Sequence, residues 1–276
     1  MISKSRTGRE QVSLVRAISK FGLASRAQAE VLVRQGCVRV NGRPVRSPFV
    51  WLDPRVDRIS IDGRPVRPAH HVYLALFKPA GYVTTRSDER GRRTVYDLLP
   101  ADLPHLFPVG RLDKETGGLL LFTNDARFGE TVTSPVRPVP KTYQLSLDIP
   151  LTAHHADLWR RGMVLADGTQ LLPVLVSPSD SVTQEVTITL SEGKNRQIRR
   201  MAEELGYTVV RLVRTAIGGV TLDGLVPGAV RKLTEQECRA LSAQPEPSVR
   251  GRARSKQVSR RPRRTRRNDR RFPGAP

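Results

Sequence analysis

One carboxylate stands out by its surroundings. Asp113 lies in GRLDKETGGLLLFTND, residues 110–125, beside Arg111 and ahead of Gly117-Gly118. A lone Asp in such a place ordinarily caps a turn or pairs with a neighbouring cation, and Arg111 is a ready partner. A catalytic role needs an apolar neighbourhood, a fixed carboxylate and the absence of a metal, with the loop anchored on a rigid element. The run Leu119 to Phe122 is apolar enough to be a buried strand and would supply that anchor. The two glycines would let a backbone or a ligand approach closely. A second cluster is EGKNRQIRRM, residues 192–201, where Lys194, Arg196, Arg199 and Arg200 crowd a turn and a helix start. Helix N-termini already favour anions, so this stretch suits phosphate. Tyr143 sits in KTYQL after Lys141; a strand tyrosine ordinarily packs.

Other chemistries find little support. The five histidines show no HExxH spacing and no carboxylate at metal-ligand spacing, so no metal is expected. There is no P-loop, no GxGxxG opening a helix and no GxSxG elbow. Cys37 and Cys238 lie far apart without a CxxC partner, which argues against both a disulfide framework and a zinc site.

Around these residues the pattern predicts α+β architecture in four zones. Residues 1–10 are polar. Residues 11–69 read as a helix-helix-hairpin unit. Leu14, Ile18 and Phe21 recur at helical spacing and Gly22 ends that helix. Ser25 and Gln28 form a capping box for a second helix, with Ala24, Ala27, Val31 and Leu32 expected on its inner face. Val38 and Val40 alternate before Asn41-Gly42, and Ile59 and Ile61 before Asp62-Gly63, as strands entering tight turns do. The residues expected on its surface are heavily Arg, Arg26 and Arg34 among them. Residues 70–243 form a larger region with candidate strands at 72–77, 119–122, 143–147, 186–190 and 209–214. Ile198, Met201, Ala202 and Leu205 fit one helix face, and Thr234 with Glu237 caps a last helix. Adjoining strands outnumber helices, so a mixed or antiparallel sheet is expected. Residues 244–276 are rich in Arg, Pro, Ser and Gly and cannot bury enough apolar surface to fold alone.

The formal charge of the 276-residue chain is +21. The tail holds eleven Arg and one Lys against Glu246 and Asp269, a net +10, which leaves +11 on the remaining 243 residues. A field of that sign draws polyanions, most simply nucleic acid. No eighteen-residue apolar stretch exists to span a membrane, and the opening MISKSRTGREQVS lacks the apolar segment of a secretory signal. A reducing compartment, the cytoplasm, is the expected location, and a monomer the expected state.

With these motifs in order, the chain resembles the bacterial rRNA pseudouridine synthases. Their signature GRLDxxTxGLLLxTND matches residues 110–125 nearly throughout, and the resemblance extends to residues 78–100, 141–145, 192–207 and 224–237. Residues 24–42 look like the small RNA-binding domain named after ribosomal small-subunit protein four. Phe77 and Ala126 depart from the Asn and Gly that the family often carries there. The resemblance implies that Asp113 is the catalytic aspartate. It implies that Tyr143 stacks on the target base and handles the proton at carbon 5. Lys194 aligns with a basic residue that pairs with the aspartate and favours its charged form, and Leu212 with an apolar residue packed against the site. Arg111 could fill the gap left by the flipped nucleotide, and the glycine pair would make room for it. The reaction breaks a uridine's glycosidic bond, rotates the uracil and rejoins it through carbon 5, so it needs no cofactor. The implied partner is ribosomal RNA, large-subunit ahead of small-subunit, or a precursor particle. A non-catalytic RNA-binding or ribosome-assembly factor, and a synthase acting on tRNA, are the competing readings.

Overall fold

The computed structural model describes residues 3–4, 10–67, 70–177 and 184–243. The Arg-rich tail and most of residues 1–10 lie outside them. Ser3–Lys4 (β1) pairs antiparallel with Glu10–Ser13 (β2), so the polar N-terminal zone contributes an edge strand. Leu14–Lys20 (α1) starts at an Ser13 cap and ends where Gly22 takes φ +73°. Arg26–Arg34 (α2) carries the expected Ser25/Gln28 capping box. Its buried face is Ala29 and Val33 with half-buried Leu32, whereas Val31 is 51% exposed and Ala27 is exposed too. The inner face is therefore rotated from the expected one. Starting the helix at Arg26 sends Ala29 and Val33, four apart, toward α1.

Val38–Val40 (β3) turns through Asn41 and Gly42, both at positive φ, into Arg43–Pro44 (β4). Trp51–Leu52 (β5) pairs with β2. Ile59–Ile61 (β6) turns through Asp62 and Gly63, again both at positive φ, into Arg64–Pro65 (β7). Two Asn/Asp-Gly turns thus make two hairpins, and β3 pairs with β6 to join them into one small sheet, β4-β3-β6-β7.

The large region holds Tyr73–Lys78 (β8), Phe107–Val109 (β9), Gly117–Thr123 (β10), Ala126–Thr133 (α3), Lys141–Leu147 (β11), Ala153–Arg161 (α4), Leu175–Ser177 (β12) and Glu185–Leu190 (β13). It continues with Gln197–Glu204 (α5), Val209–Ile217 (β14), Val220–Thr221 (β15), Val230–Lys232 (β16) and Glu235–Ser242 (α6). The main sheet runs β12-β13-β11-β14-β10-β8-β16, with β15 on β14 and β9 on β10. Every pairing is antiparallel except β10 with β14, which is parallel and only two residue pairs long: Gly117 with Val213 and Gly118 with Arg214. The sheet is therefore two wings joined at a short seam.

Each wing has its own core. Leu145, Trp159, Ile188 and Met201 centre the β11–β14 wing. Strand β10 is buried on both faces: Leu119 and Leu121 enter one cluster with Phe128, Leu120 and Phe122 another with Leu76. Burial on both faces explains why this strand reads as a continuous apolar run rather than an alternation. Helices α3 and α4 carry little sequence signal. The former has Gly129 and β-branched residues inside it, and Gly129 is required because a Cβ there would lie 2.9 Å from the Phe107 ring.

Candidate active site

Asp113 lies on the loop that leads into β10, and that loop is tied down carbonyl by carbonyl. Leu112 O accepts from Thr84 Oγ1 at 2.7 Å. The Lys78 ammonium donates to Asp113 O (3.0 Å), Lys114 O (3.2 Å), Thr116 O (2.7 Å) and Pro79 O (3.2 Å). Glu115 O accepts from Arg199 Nη2 at 3.5 Å. Thr116 N donates to Asp113 O and Gly81 N to Lys114 O. Every carbonyl from 112 to 116 thus has a donor. The Asp113 carboxylate, by contrast, has no hydrogen-bond or ion-pair partner among the described residues. It is half-buried and faces a cleft of about 830 Å³.

Lys78 ends β8 fully buried. Burial pulls its pKa down from 10.5 to about 8, against the opposing pull of the Glu115 and Asp113 carboxylates. It was not among the expected site residues. The signal was a charged residue closing an apolar strand just before a proline.

Across the seam, Arg214 is 2% exposed. Its Nε donates to Leu119 O at 2.7 Å, Nη1 approaches Tyr143 Oη at 3.5 Å, and the guanidinium lies 6.0 Å from the Tyr143 ring centre. Its Nη2 is buried without a partner, although Arg214 lines the cleft. Tyr143 and Arg214 are cross-strand neighbours on β11 and β14, as are Leu145 and Leu212. Period-two alternation puts Leu212 and Arg214 on one face, which was the available signal for this arginine. Gly118 makes room for the protein's own backbone. A Cβ on Gly118 would lie 2.3 Å from Arg214 O and 2.4 Å from Arg214 N, and Gly118 holds φ +111°. A Cβ on Gly117 would touch Lys78 O at 3.4 Å.

The structure brings Asp113, Tyr143, Leu212, Arg111, Lys194, Arg196 and Arg199 to the walls of this one cleft. It does not pair Lys194 with Asp113. The Lys194 ammonium contacts the Glu192 carboxylate at 3.2 Å and the Gln170 carbonyl, because the 192–197 turn folds on itself around Gln197. The buried cation on the strand beside Tyr143 is Arg214. Arg196 takes φ +48° as it opens α5 and no side chain caps that helix. Arg199 reaches Val209 O at 2.9 Å as well as the Asp113 loop, and burial lowers its pKa. Arg200 turns away to Asp167. Arg111 is exposed at the rim. Arg26 and Arg34 stand outside the cleft on α2, exposed, with Arg34 paired to Glu30 at 2.7 Å.

Comparisons with known proteins place the chain in a family. Residues 72–204 match the family described as RNA pseudouridylate synthase, and residues 13–48 match the S4 domain. The ribosomal large subunit pseudouridine synthase B of Bacillus subtilis is 35% identical, over 83% of this chain and 95% of its own. The ribosomal small subunit pseudouridine synthase A of Escherichia coli is 37% identical, over 77% and 92%. A crystal structure of a pseudouridylate synthase aligns with a TM-score of 0.61 at 32% identity, covering 83% of this chain and 99% of that one. The chain belongs to the RNA pseudouridine synthases that carry an N-terminal S4 domain, and it is an isomerase.

Proposed function

We propose that this enzyme converts a specific uridine of ribosomal RNA to pseudouridine, with Asp113 as its catalytic carboxylate. The observation that carries this reading is a carboxylate left unpartnered on a loop whose carbonyls are all bound. Such a group is held in place for something other than the fold. The names of the Bacillus and Escherichia relatives support ribosomal RNA as substrate. Large-subunit RNA, alone or in a precursor particle, bound by a monomer, is the working substrate.

The uridine must first leave its stack, which costs a few kcal/mol. Phosphate contacts from Arg196, Arg199, Arg111 and the arginines of the N-terminal unit offset that cost. Asp113 then either attacks carbon 1′ of the ribose or removes the proton at carbon 2′; the N1–C1′ bond breaks, as in glycosidase chemistry. The uracil turns on the face of Tyr143, held by stacking of about 1–3 kcal/mol. Carbon 5 bonds to C1′ as the Asp113–C1′ bond breaks and frees the carboxylate, or, on the other route, as the proton held by Asp113 returns to carbon 2′. The proton on carbon 5 then leaves toward the Tyr143 hydroxyl and water, and N1 gains a proton. The composition of the RNA is unchanged. Arg214, with its free Nη2 donor, stabilises negative charge in the cleft.

Tritium release from rRNA labelled at carbon 5 of uridine tests this, with wild type and Asp113→Asn in parallel. Release by wild type alone, with RNA binding by the variant within about threefold, is expected. Release by both proteins would mean that the chemistry belongs to another residue.

A further inference from the structure

Among the described residues, two Phe, Tyr or Trp side chains are open to solvent, and they lie two positions apart, Phe49 in the turn that leads into β5 and Trp51 at the start of that strand. Phe49 is 76% exposed and Trp51 44% exposed. Burial alternates through this stretch: Pro48, Val50 and Leu52 turn inward, Phe49 and Trp51 outward. The alternation is anchored, since Val50 O accepts from Leu14 N at 2.7 Å and Trp51 pairs with Ser13. Both aromatics therefore project from one face of a fixed backbone. Both lie just past the segment that matches the S4 domain.

The charged side chains of the same unit differ in how they are engaged. Asp53 is 6% exposed and its carboxylate accepts from Arg55 Nε and Nη2. Asp57 accepts from Asp53 N and Asn41 Nδ2. Arg43, Arg46 and Arg58 are exposed and form no ion pair among the described residues. Across residues 11–67, ten Arg and Lys20 face Glu30, Asp53, Asp57 and Asp62, a net +7. Asp53 and Asp57 are held by hydrogen bonds within the unit, whereas Arg43, Arg46 and Arg58 stand out from its surface.

From this combination we infer that Phe49 and Trp51 form a base-stacking platform for unpaired nucleotides of the bound RNA. The inference rests on the reading of the chain as an RNA-modifying enzyme. Exposed rings offer faces to nucleobases, and the outward arginines offer cations to the phosphates between them. In a duplex the base faces are stacked on one another, so the platform selects single-stranded segments, such as a loop next to the modified helix.

The chain carries its own probe, because its other tryptophan, Trp159, is fully buried. Full-length protein is titrated with oligouridylate, with the same oligomer annealed to oligoadenylate, and with phosphatidylserine vesicles, while tryptophan emission is followed. Expected is quenching of the Trp51 emission by oligouridylate and not by the duplex. Phe49→Ala and Trp51→Leu should each weaken oligouridylate binding about five- to a hundredfold and duplex binding by less than about threefold. Trp51→Phe should restore most of the affinity. Unchanged Trp159 emission in Trp51→Leu reports an intact fold. Equal losses on both RNAs, no quenching, or a response to vesicles alone would each overturn the platform. Quenching without tritium release in the catalytic assay would instead count against the proposed reaction and leave the platform standing.

Discussion

Replacing Lys78 by Met separates the positioning of Asp113 from the stability of the fold. The Met side chain is close in volume but removes the donor to four carbonyls. Asp113 O and Lys114 O keep the donors Thr116 N and Gly81 N, whereas Pro79 O and Thr116 O lose Lys78 at about 1–3 kcal/mol each. Against that loss stands the relief of a buried charge. A pKa drawn down from 10.5 to about 8 corresponds to a penalty of about 3 kcal/mol. The two nearly cancel, so Lys78→Met should lower stability by no more than about 3 kcal/mol in urea unfolding. Activity has no such compensation. A loop displaced by about 1 Å costs about a hundredfold in rate, so kcat for tritium release should fall at least that far with RNA affinity nearly unchanged. The wild type should show the same device in its pH dependence. Because the folded pKa lies below the unfolded value, the native state binds fewer protons between about 8 and 10.5, and stability rises with pH across that window. The neutral amine has only two N–H groups for its four carbonyls, so kcat should fall over the same window. Activity and stability then move in opposite directions above pH 8, and both trends vanish in Lys78→Met. A variant with wild-type kcat, or a wild type whose activity and stability fall together, would refute the argument.

Gly118→Ala should be among the most damaging single-methyl changes in the protein. The new Cβ would lie 2.3 Å from backbone that cannot swing aside, at φ +111°, so a loss of about 3–5 kcal/mol in urea unfolding is expected. Arg214→Lys and Lys194→Ala tell the two candidate cations apart. The first loses the Leu119 hydrogen bond and the Tyr143 contact and should cost about a hundredfold in kcat. The second removes a half-exposed ion pair with Glu192 and should leave kcat within about threefold. Reversal of that order in single-turnover assays would return the pairing role to Lys194.

Local chemistry made much of this protein legible in its sequence. The Asn41-Gly42 and Asp62-Gly63 turns, the Ser25/Gln28 and Thr234/Glu237 caps and the apolar run of β10 each depend on residues a few positions apart, so their spacing reveals them. The reaction came instead from the resemblance of the ordered motifs around Asp113 to a known family, since by its chemistry alone that residue reads as an ordinary cap or ion-pair partner. Helices α3 and α4 were not legible, because long-range packing against Phe107 and around Trp159 overrides weak helix propensity. The phase of α2 depended on which face met α1. What only the tertiary structure decided is the partnership of charges. Lys78, Arg199 and Arg214 are 35, 86 and 101 positions from Asp113 in the chain; Lys78 meets its loop through the antiparallel β8–β10 pairing, while Arg199 and Arg214 come from the other wing, which joins β10 through the two-residue parallel seam with β14. A sequence shows that a cation is available; whether its ammonium or guanidinium reaches a carboxylate or is held by a nearer carbonyl depends on backbone atoms that only the folded sheet brings together. That is why Lys194, near the site and correctly charged, turned to Glu192, and why Gly118 proved to be room for Arg214.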